Sequence, residues 1–139
     1  MNKFSGKIAA IEAYGSVAIV DVMVGPHCFT ATLMGAADQF ELWKNGQAVN
    51  LLFKETEVAL AKNLTGQISL RNRMPSIITG LEYGQLLTRV AMQMDGMMLH
   101  SVITTRSARH LQLELGDQVE GLVKSNEMSL LSDLTDASV

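Results

Sequence analysis

Apolar and polar residues alternate with a period of two along most of this chain, the pattern of strands buried on one face. In the C-terminal half, residues 76–81 form a strand candidate that stops at Glu82-Tyr83-Gly84. Residues 86–94 and 97–103 follow and flank Asp95-Gly96, a dipeptide that favours a tight hairpin because both positions tolerate positive φ. After Thr104-Thr105 the period changes: Ala108, Leu111 and Leu115, with Leu113 beside them, predict a short helix or turn ending at Gly116. Residues 118–124 and 127–131 read as closing strands. The N-terminal half runs in the same order, with Gly25-Pro26 at the hairpin and Gly46 after the helical piece.

That shared order reflects an internal repeat. A shift of 70 positions brings Asn2 onto Asn72, Ile8 onto Ile78, Glu12 onto Glu82 and Gly46 onto Gly116. It also superposes Val49 on Val119, Lys54 on Lys124, Glu57 on Glu127 and Leu60 on Leu130. Two copies of one unit, residues 1–62 and 63–139, account for these matches. The joining segment AKNLTGQI carries no Pro or Ser-rich character, which predicts a short ordered connection. Five short strands and one short helix per copy predict an all-β chain of two tandem OB-like small β-barrels. A copy of about 60 residues is marginal alone, so the two are expected to pack together and to bury more surface by oligomerisation.

Composition narrows the function classes. With 47% hydrophobic and 18% charged residues among 139, the chain has the makings of a packed core. Its net charge of -3 offers no overall attraction for nucleic acid or an anionic membrane. A single-strand binder of OB type also needs a basic groove with exposed aromatics, and Trp, Tyr and Phe together number only seven. The lone Cys28 precludes an internal disulfide and fits a reducing compartment. The N-terminus MNKFSGKIAA lacks the apolar region of a signal peptide, and no apolar run reaches the roughly 18 residues of a membrane span, so a cytoplasmic protein is expected. His100 and His110 lack the Ser or Cys context of a catalytic group, and His27-Cys28 has no second ligand pair for zinc. No enzyme and no metal-cation site is predicted. Met92, Met94, Met97 and Met98 are assigned to packing, as are Trp43 and Tyr83. Arg73, Arg106 and Arg109 read as solvated charges, and residues 132–139 as a frayed tail.

One stretch stands apart from the apolar alternation: Ser69-Leu70-Arg71-Asn72-Arg73-Met74-Pro75. Together with Glu82-Tyr83-Gly84, Ile103-Thr104-Thr105-Arg106-Ser107-Ala108, Leu113 to Val119 and Val123-Lys124-Ser125-Asn126, it resembles the molybdate-binding Mop domain, also called the TOBE type. Two copies in tandem are similar to the di-Mop arrangement of the ModG proteins and of the C-terminal region of the ModE regulators. The resemblance implies binding of molybdate or tungstate for intracellular molybdenum storage and homeostasis, with no further cofactor. The alternative is an oxyanion-sensing regulatory module that signals through a partner protein. It further implies a homo-oligomer with the site at a subunit interface. The positions matching Ser69, Arg71, Lys124 and Ser125 would contact the oxyanion from one subunit, and those matching Thr104 and Ser107 from its neighbour.

The residue types suit that ligand. Molybdate at neutral pH is a tetrahedral dianion whose oxygens only accept, so its site needs donors and no carboxylate. Ser69 and Ser125 offer hydroxyls, Arg71 a fork of charged donors and Lys124 an ammonium. Thr104 and Ser107 stand where the helical piece begins, near unpaired backbone N–H groups and the positive end of its dipole. The first copy lacks most of this set. Thr104 becomes Met34, Ser107 becomes Ala37, Ser125 becomes Glu55, Arg71 falls on Met1, and Ser69 has no counterpart. Lys54 alone remains, beside a Glu55 expected to repel a dianion and to neutralise that lysine. The first copy is therefore expected to be structural, leaving one main class of site.

Overall fold

The computed structural model describes residues 1–133. Its strands are β1 (Asn2–Tyr14), β2 (Val17–Val24), β3 (His27–Met34), β4 (Ala48–Phe53), β5 (Ala59–Ala61), β6 (Asn72–Tyr83), β7 (Leu87–Met94), β8 (Met97–Thr104), β9 (Gln118–Val123) and β10 (Ser129–Ser132). One α-helix, α1 (Thr105–His110), and 3₁₀ turns at Ala37–Leu42, Glu55–Glu57 and Ser125–Glu127 complete the described chain. The fold is all-β, and the repeat is visible in it: β1 to β5 recur as β6 to β10, with a helical piece after the third strand of each set.

The folded units do not follow the two copies. Unit 1 comprises Met1–Asn2 and Lys54–Val123; unit 2 comprises Lys3–Phe53 and the chain from Lys124 on. In unit 1 the five-stranded sheet has the order β5-β9-β6-β7-β8, and in unit 2 the order β10-β4-β1-β2-β3. Each sheet is thus closed by a strand from the other repeat. Ala59, Leu60 and Ala61 of β5 pair with Leu122, Gly121 and Glu120, while Ser129 to Ser132 of β10 pair with Leu52 to Val49. The Glu55–Glu57 turn packs on β8, and the Ser125–Glu127 turn on β3.

The same device bends both sheets. The antiparallel register slips between Ile8 and Ala10 in β1 and between Ile78 and Gly80 in β6, bulges that increase local twist and let a short sheet curl. At each bulge the isoleucine backbone turns to the loop ahead of the fourth strand. Ile8 N–H donates to Gln47 O and its carbonyl accepts from Gly46 N–H; Ile78 does the same with Asp117 and Gly116. The glycine sits at φ 84° in one unit and 88° in the other, where a side chain would be strained.

The hairpins follow the turn chemistry. Asp95 and Gly96 both have positive φ, as a type I′ turn requires, and Gly25 has φ 59° ahead of Pro26, whose ring holds φ negative. In β7 the alternation buries Thr88, Val90, Met92 and Met94, so two of the four clustered methionines are core; Met98, on the opposite face of β8, is half exposed. Tyr83 also departs from the packing expectation, being 45% exposed as a residue, with its hydroxyl donating to Leu113 O.

Three boundaries differ from the sequence reading. Strand β6 begins at Asn72 and not at 76, because Asn72 to Ile77 pair with Val123 to Gln118. Pro75 is tolerated there since the β7 side of the register begins only at Ile77, so that flank has no ladder at Pro75 to break. Helix α1 stops at His110, six residues before Gly116. Gln112 adopts φ 52°, its N–H donates to Arg109 O, and Leu113 N–H donates to Ala108 O. These are the two bonds of a Schellman ending, sealed by the buried pair Leu113 and Ala108. At the tail, Ser132 pairs with Val49 and Asp133 N–H donates to Ala48 O, so these two are held in the sheet; 134–139 lie outside the described residues.

Candidate functional site

Unit 1 carries four of the six predicted donors. Ser69 and Arg71 are exposed and line an open depression with Gly66, Gln67, Ile68 and Arg73. No carboxylate lines it. Arg73 is committed elsewhere: its Nε and Nη2 donate to Glu120 at 2.6 and 2.7 Å, a bidentate pair. Arg73 holds the Glu120 carboxyl below the usual carboxylate range. Arg71 has no ion-pair partner among the described residues, so its fork of donors remains available.

Thr104 and Ser107 sit together at the start of α1. Thr104 is the N-cap: its Oγ1 accepts from Ser107 N–H at 3.0 Å and donates to Ser107 Oγ at 2.8 Å. Each hydroxyl has one hydrogen, and Thr104 uses its own on Ser107. The Ser107 hydrogen is then free for a ligand. With six residues α1 is too short to form an anion site by its dipole alone, and the donors here are the hydroxyls. Thr104 also lines a second depression, with Gln85, Leu86, Leu87, Thr105, Arg106 and Arg109. The two depressions have no lining residue in common.

Behind this turn lies a buried hydroxyl pair that alternation alone does not reveal. Thr88 Oγ1 and Thr105 Oγ1 are 2.8 Å apart, and Thr105 Oγ1 donates to Gly84 O at 2.8 Å. Thr105 N–H also donates to Leu86 O. The available signal lay in the repeat: Thr88 and Thr105 align with Ala18 and Gly35, so the hydroxyls occur only in the second copy.

Lys124 and Ser125 belong to unit 2. Lys124 is the exposed N-cap residue of the turn on β3, and Ser125 Oγ lies 2.8 Å from Thr32 Oγ1. The equivalent turn on β8 in unit 1 carries Lys54 and Glu55. The sequence reading assigned the Glu55 carboxylate to Lys54; the structure gives it to Arg89, whose Nε donates to Oε1 at 2.9 Å and Nη2 to Oε2 at 3.3 Å, and to the Met1 amino group at 3.3 Å. The hydrogen bond from Arg89, with those of the amino group and the charge of both, lowers the Glu55 pKa to about 2. Arg89 reaches it from β7, the strand beside the one on which the turn packs, whereas Lys54 is its chain neighbour and is exposed.

The predicted donors therefore occupy both units. The structure brings Thr104 to Ser107 and puts Ser69 and Arg71 on one depression, and it carries Lys124 and Ser125 into the unit closed by β10. Among the described residues no group of three His, Cys, Asp or Glu side chains could hold a metal cation, and no helix is long and apolar enough to cross a membrane.

Comparison with known proteins agrees with this architecture. The TOBE domain pattern matches twice, at residues 1–60 and 68–130. The "Molybdenum import ATP-binding protein ModC" of Brucella abortus (strain 2308) is 35% identical over 83 residues, 59% of this chain and 23% of that protein. The "Molybdenum transport protein ModE" of Herbaspirillum seropedicae is 22% identical over 152 residues, 98% of this chain and 56% of that protein. The chain thus spans about a quarter of the ModC relative and about half of the ModE relative. Among solved structures, the cytoplasmic molybdate-binding protein ModG with molybdate bound superposes with a TM-score of 0.87 at 22% identity, covering 93% of this chain and 94% of that one. Its fold is the fold seen here.

Proposed function

The chain belongs to the TOBE-domain family, and from that premise we propose that it binds a tetrahedral oxyanion, molybdate or tungstate, as part of molybdenum storage and homeostasis in the cytoplasm. The observation that carries this reading is the state of the donors. Arg71 and Lys124 are unpaired among the described residues, the Ser107 hydrogen is free, and no carboxylate lines either depression. Neighbouring cations are neutralised: Arg73 by Glu120, Arg89 by Glu55, and Lys62 by Asp117. Arg71 and Lys124, which match the family's ligand positions, thus keep their capacity to bind an anion, and Arg106 and Arg109 add positive charge to the depression beside Thr104.

Chemistry follows from the donor set. An accept-only dianion takes charge-assisted bonds from cations such as Arg71 and Lys124 and further bonds from the Ser69, Ser125 and Ser107 hydroxyls, while Thr104, whose hydrogen goes to Ser107 Oγ, orients that hydroxyl. Neither folded unit holds all six residues, and the depressions are open. A second copy of the chain supplies the missing donors, and the site is completed in a homo-oligomer. Discrimination is geometric: sulfate has shorter bonds, so a cage sized for molybdate leaves its hydrogen bonds stretched. The role is binding and not catalysis. A second reading, oxyanion sensing through a partner protein, is favoured by the ModE match, which takes in nearly this whole chain as part of a longer protein.

The test is calorimetric titration with molybdate, tungstate and sulfate, with the oligomer mass recorded alongside. Tight binding of the first two with little response to sulfate is expected. Loss of a charged hydrogen bond costs about 1.5–3 kcal/mol, so Arg71→Ala or Lys124→Ala should weaken molybdate binding about 10- to 100-fold, with Lys54→Ala near wild type. Equal losses at Lys54 and Lys124 overturn the asymmetry between the copies, and no binding up to millimolar molybdate overturns the reading.

A further inference from the structure

We propose that Thr88 and Thr105 are positioning residues for oxyanion binding: their buried hydroxyl chain fixes the turn that presents Thr104 and Ser107. The inference rests on the binding role proposed above, and it concerns two residues that touch no ligand.

Both side chains are buried, Thr88 completely and Thr105 to 4% exposure. Their hydrogen bonds have one direction. The single hydrogen of Thr105 goes to Gly84 O, so Thr88 must donate to Thr105, giving the chain Thr88 O–H to Thr105 Oγ1 and Thr105 O–H to Gly84 O. Strand β7, the first residue of α1 and the loop between β6 and β7 are thereby tied at one point. The loop is drawn in tightly: a Cβ on Gly84 would come within 2.5 Å of Leu87 O, whose partner is the Gly84 N–H at 2.9 Å. Thr105 lies between the two ligand positions in sequence, one residue after Thr104 and two before Ser107. A buried, fully satisfied network at that place restrains the φ and ψ of the residues that orient both hydroxyls.

The first repeat is a control built into the same molecule. Its backbone bond at this point is kept: Gly35 N–H donates to Ser16 O at 3.0 Å, as Thr105 N–H donates to Leu86 O at 2.8 Å. The fold therefore closes this corner without the hydroxyls. Ala18 and Gly35 replace Thr88 and Thr105 where Met34 and Ala37 replace Thr104 and Ser107. Support and donors are present together in one repeat and missing together in the other. The first repeat makes the same backbone bond and runs on into a 3₁₀ turn at Ala37–Leu42, so the hydroxyl chain goes with the α-helical turn that carries the donors.

The experiment compares wild type with Thr88→Ala, Thr105→Val, Thr105→Ser and Ser107→Ala, reading molybdate affinity by calorimetry and amide hydrogen exchange across 104–109 without ligand. Thr88→Ala copies Ala18, so the fold accepts it. Thr88→Ala and Thr105→Val should each raise Kd about 5- to 20-fold and exchange at the Ser107 amide several-fold, while Thr105→Ser, which keeps the hydroxyl, stays within about twofold of wild type. Wild-type exchange at 104–109 in Thr88→Ala and Thr105→Val overturns the proposal whatever the protein binds. Wild-type affinity in these two alongside weak binding by Ser107→Ala overturns it as well. Failure of the wild type to bind molybdate strikes the proposed function instead, and the exchange result still decides whether the hydroxyl chain orders the turn.

Discussion

Unit 1 and unit 2 share a topology and are held together by different chemistry. In unit 2 the core is aromatic: Phe4 lies 5.6 Å from Phe29 and 5.3 Å from Phe53, the second pair edge to face. The same three positions in unit 1 are Met74, Leu99 and Val123, all buried. Unit 1 adds polar fastenings at its rim. Lys62 Nζ donates to Leu111 O, Gln112 O and Asp117 Oδ2, holding the C-terminal end of α1, where Ser132 and Gln47 in unit 2 make a single neutral bond. Arg73 clamps Glu120 and Arg89 clamps Glu55. Unit 1, which has the one α-helix among the described residues and four of the six proposed donors, therefore carries the charged directional bonds, which fix orientation. Unit 2 relies more on aromatic burial, whose main term, the apolar area removed from water, is non-directional.

The largest test removes the strand exchange. Fragments 1–62 and 63–139 each lack the closing strand that their sheet takes from the other repeat, so neither is expected to form a folded monomer, judged by circular dichroism with light scattering. A folded monomeric fragment would show that a repeat can close on itself, and the two units would lose their interdependence. Next in size is the core. Phe4→Ala or Phe53→Ala should cost about 3–5 kcal/mol in urea unfolding, with amide protection lost first in unit 2, and Met74→Ala about 2–5 kcal/mol with the loss in unit 1. Protection falling equally in both units for each variant would erase the distinction drawn here.

Smaller effects sharpen the electrostatic half of the contrast. Lys62 holds the Asp117 carboxyl below the usual range, assisted by the Glu114 N–H, and Glu55 and Glu120 are lowered by Arg89 and Arg73. A carboxyl whose folded pKa is depressed stabilises the fold fully above its unfolded value and loses that contribution as pH falls through the folded one. Acidification should therefore weaken unit 1 from about pH 4.5 downward, with the Glu55 share persisting to about pH 2. Amide exchange at pH 7 and pH 3 would read this, and Glu55→Gln should flatten the pH dependence at β7 and the 55–57 turn. The smallest expected change is a gain. Gln112 sits at φ 52° to end α1, so Gln112→Gly should stabilise unit 1 by about 1 kcal/mol or less, visible as a rise in Tm; no rise would mean that the backbone entropy glycine loses on folding offsets the relieved strain.

Much of this molecule is legible along the chain because it is local. The Asp95-Gly96 hairpin follows from two residues that accept positive φ, and the buried Met92 and Met94 from simple alternation. Ala108 and Leu113 announce a helical piece, though its end at His110 depends on a Schellman ending with Gln where glycine is usual. The donor set could be named from the resemblance to the Mop domain: Ser69, Arg71, Thr104, Ser107, Lys124 and Ser125 are the positions that match that family's ligands. Which other cations are neutralised could not be read. Nothing near Glu55 in sequence announces Arg89, 34 residues on, as its partner.

What the sequence determined by itself is the repeat, the strands, the hairpins and the type of group offered to a ligand. Each of these depends on φ/ψ preference or on burial of one strand face, which a few neighbouring residues decide. The tertiary structure decided which sheet receives β5 and β10, and hence which unit holds Lys124 and Ser125. Backbone hydrogen bonds are the same for every residue, and two repeats with the same apolar face present equivalent edges. The choice between them is made by the packed whole and by no local pattern.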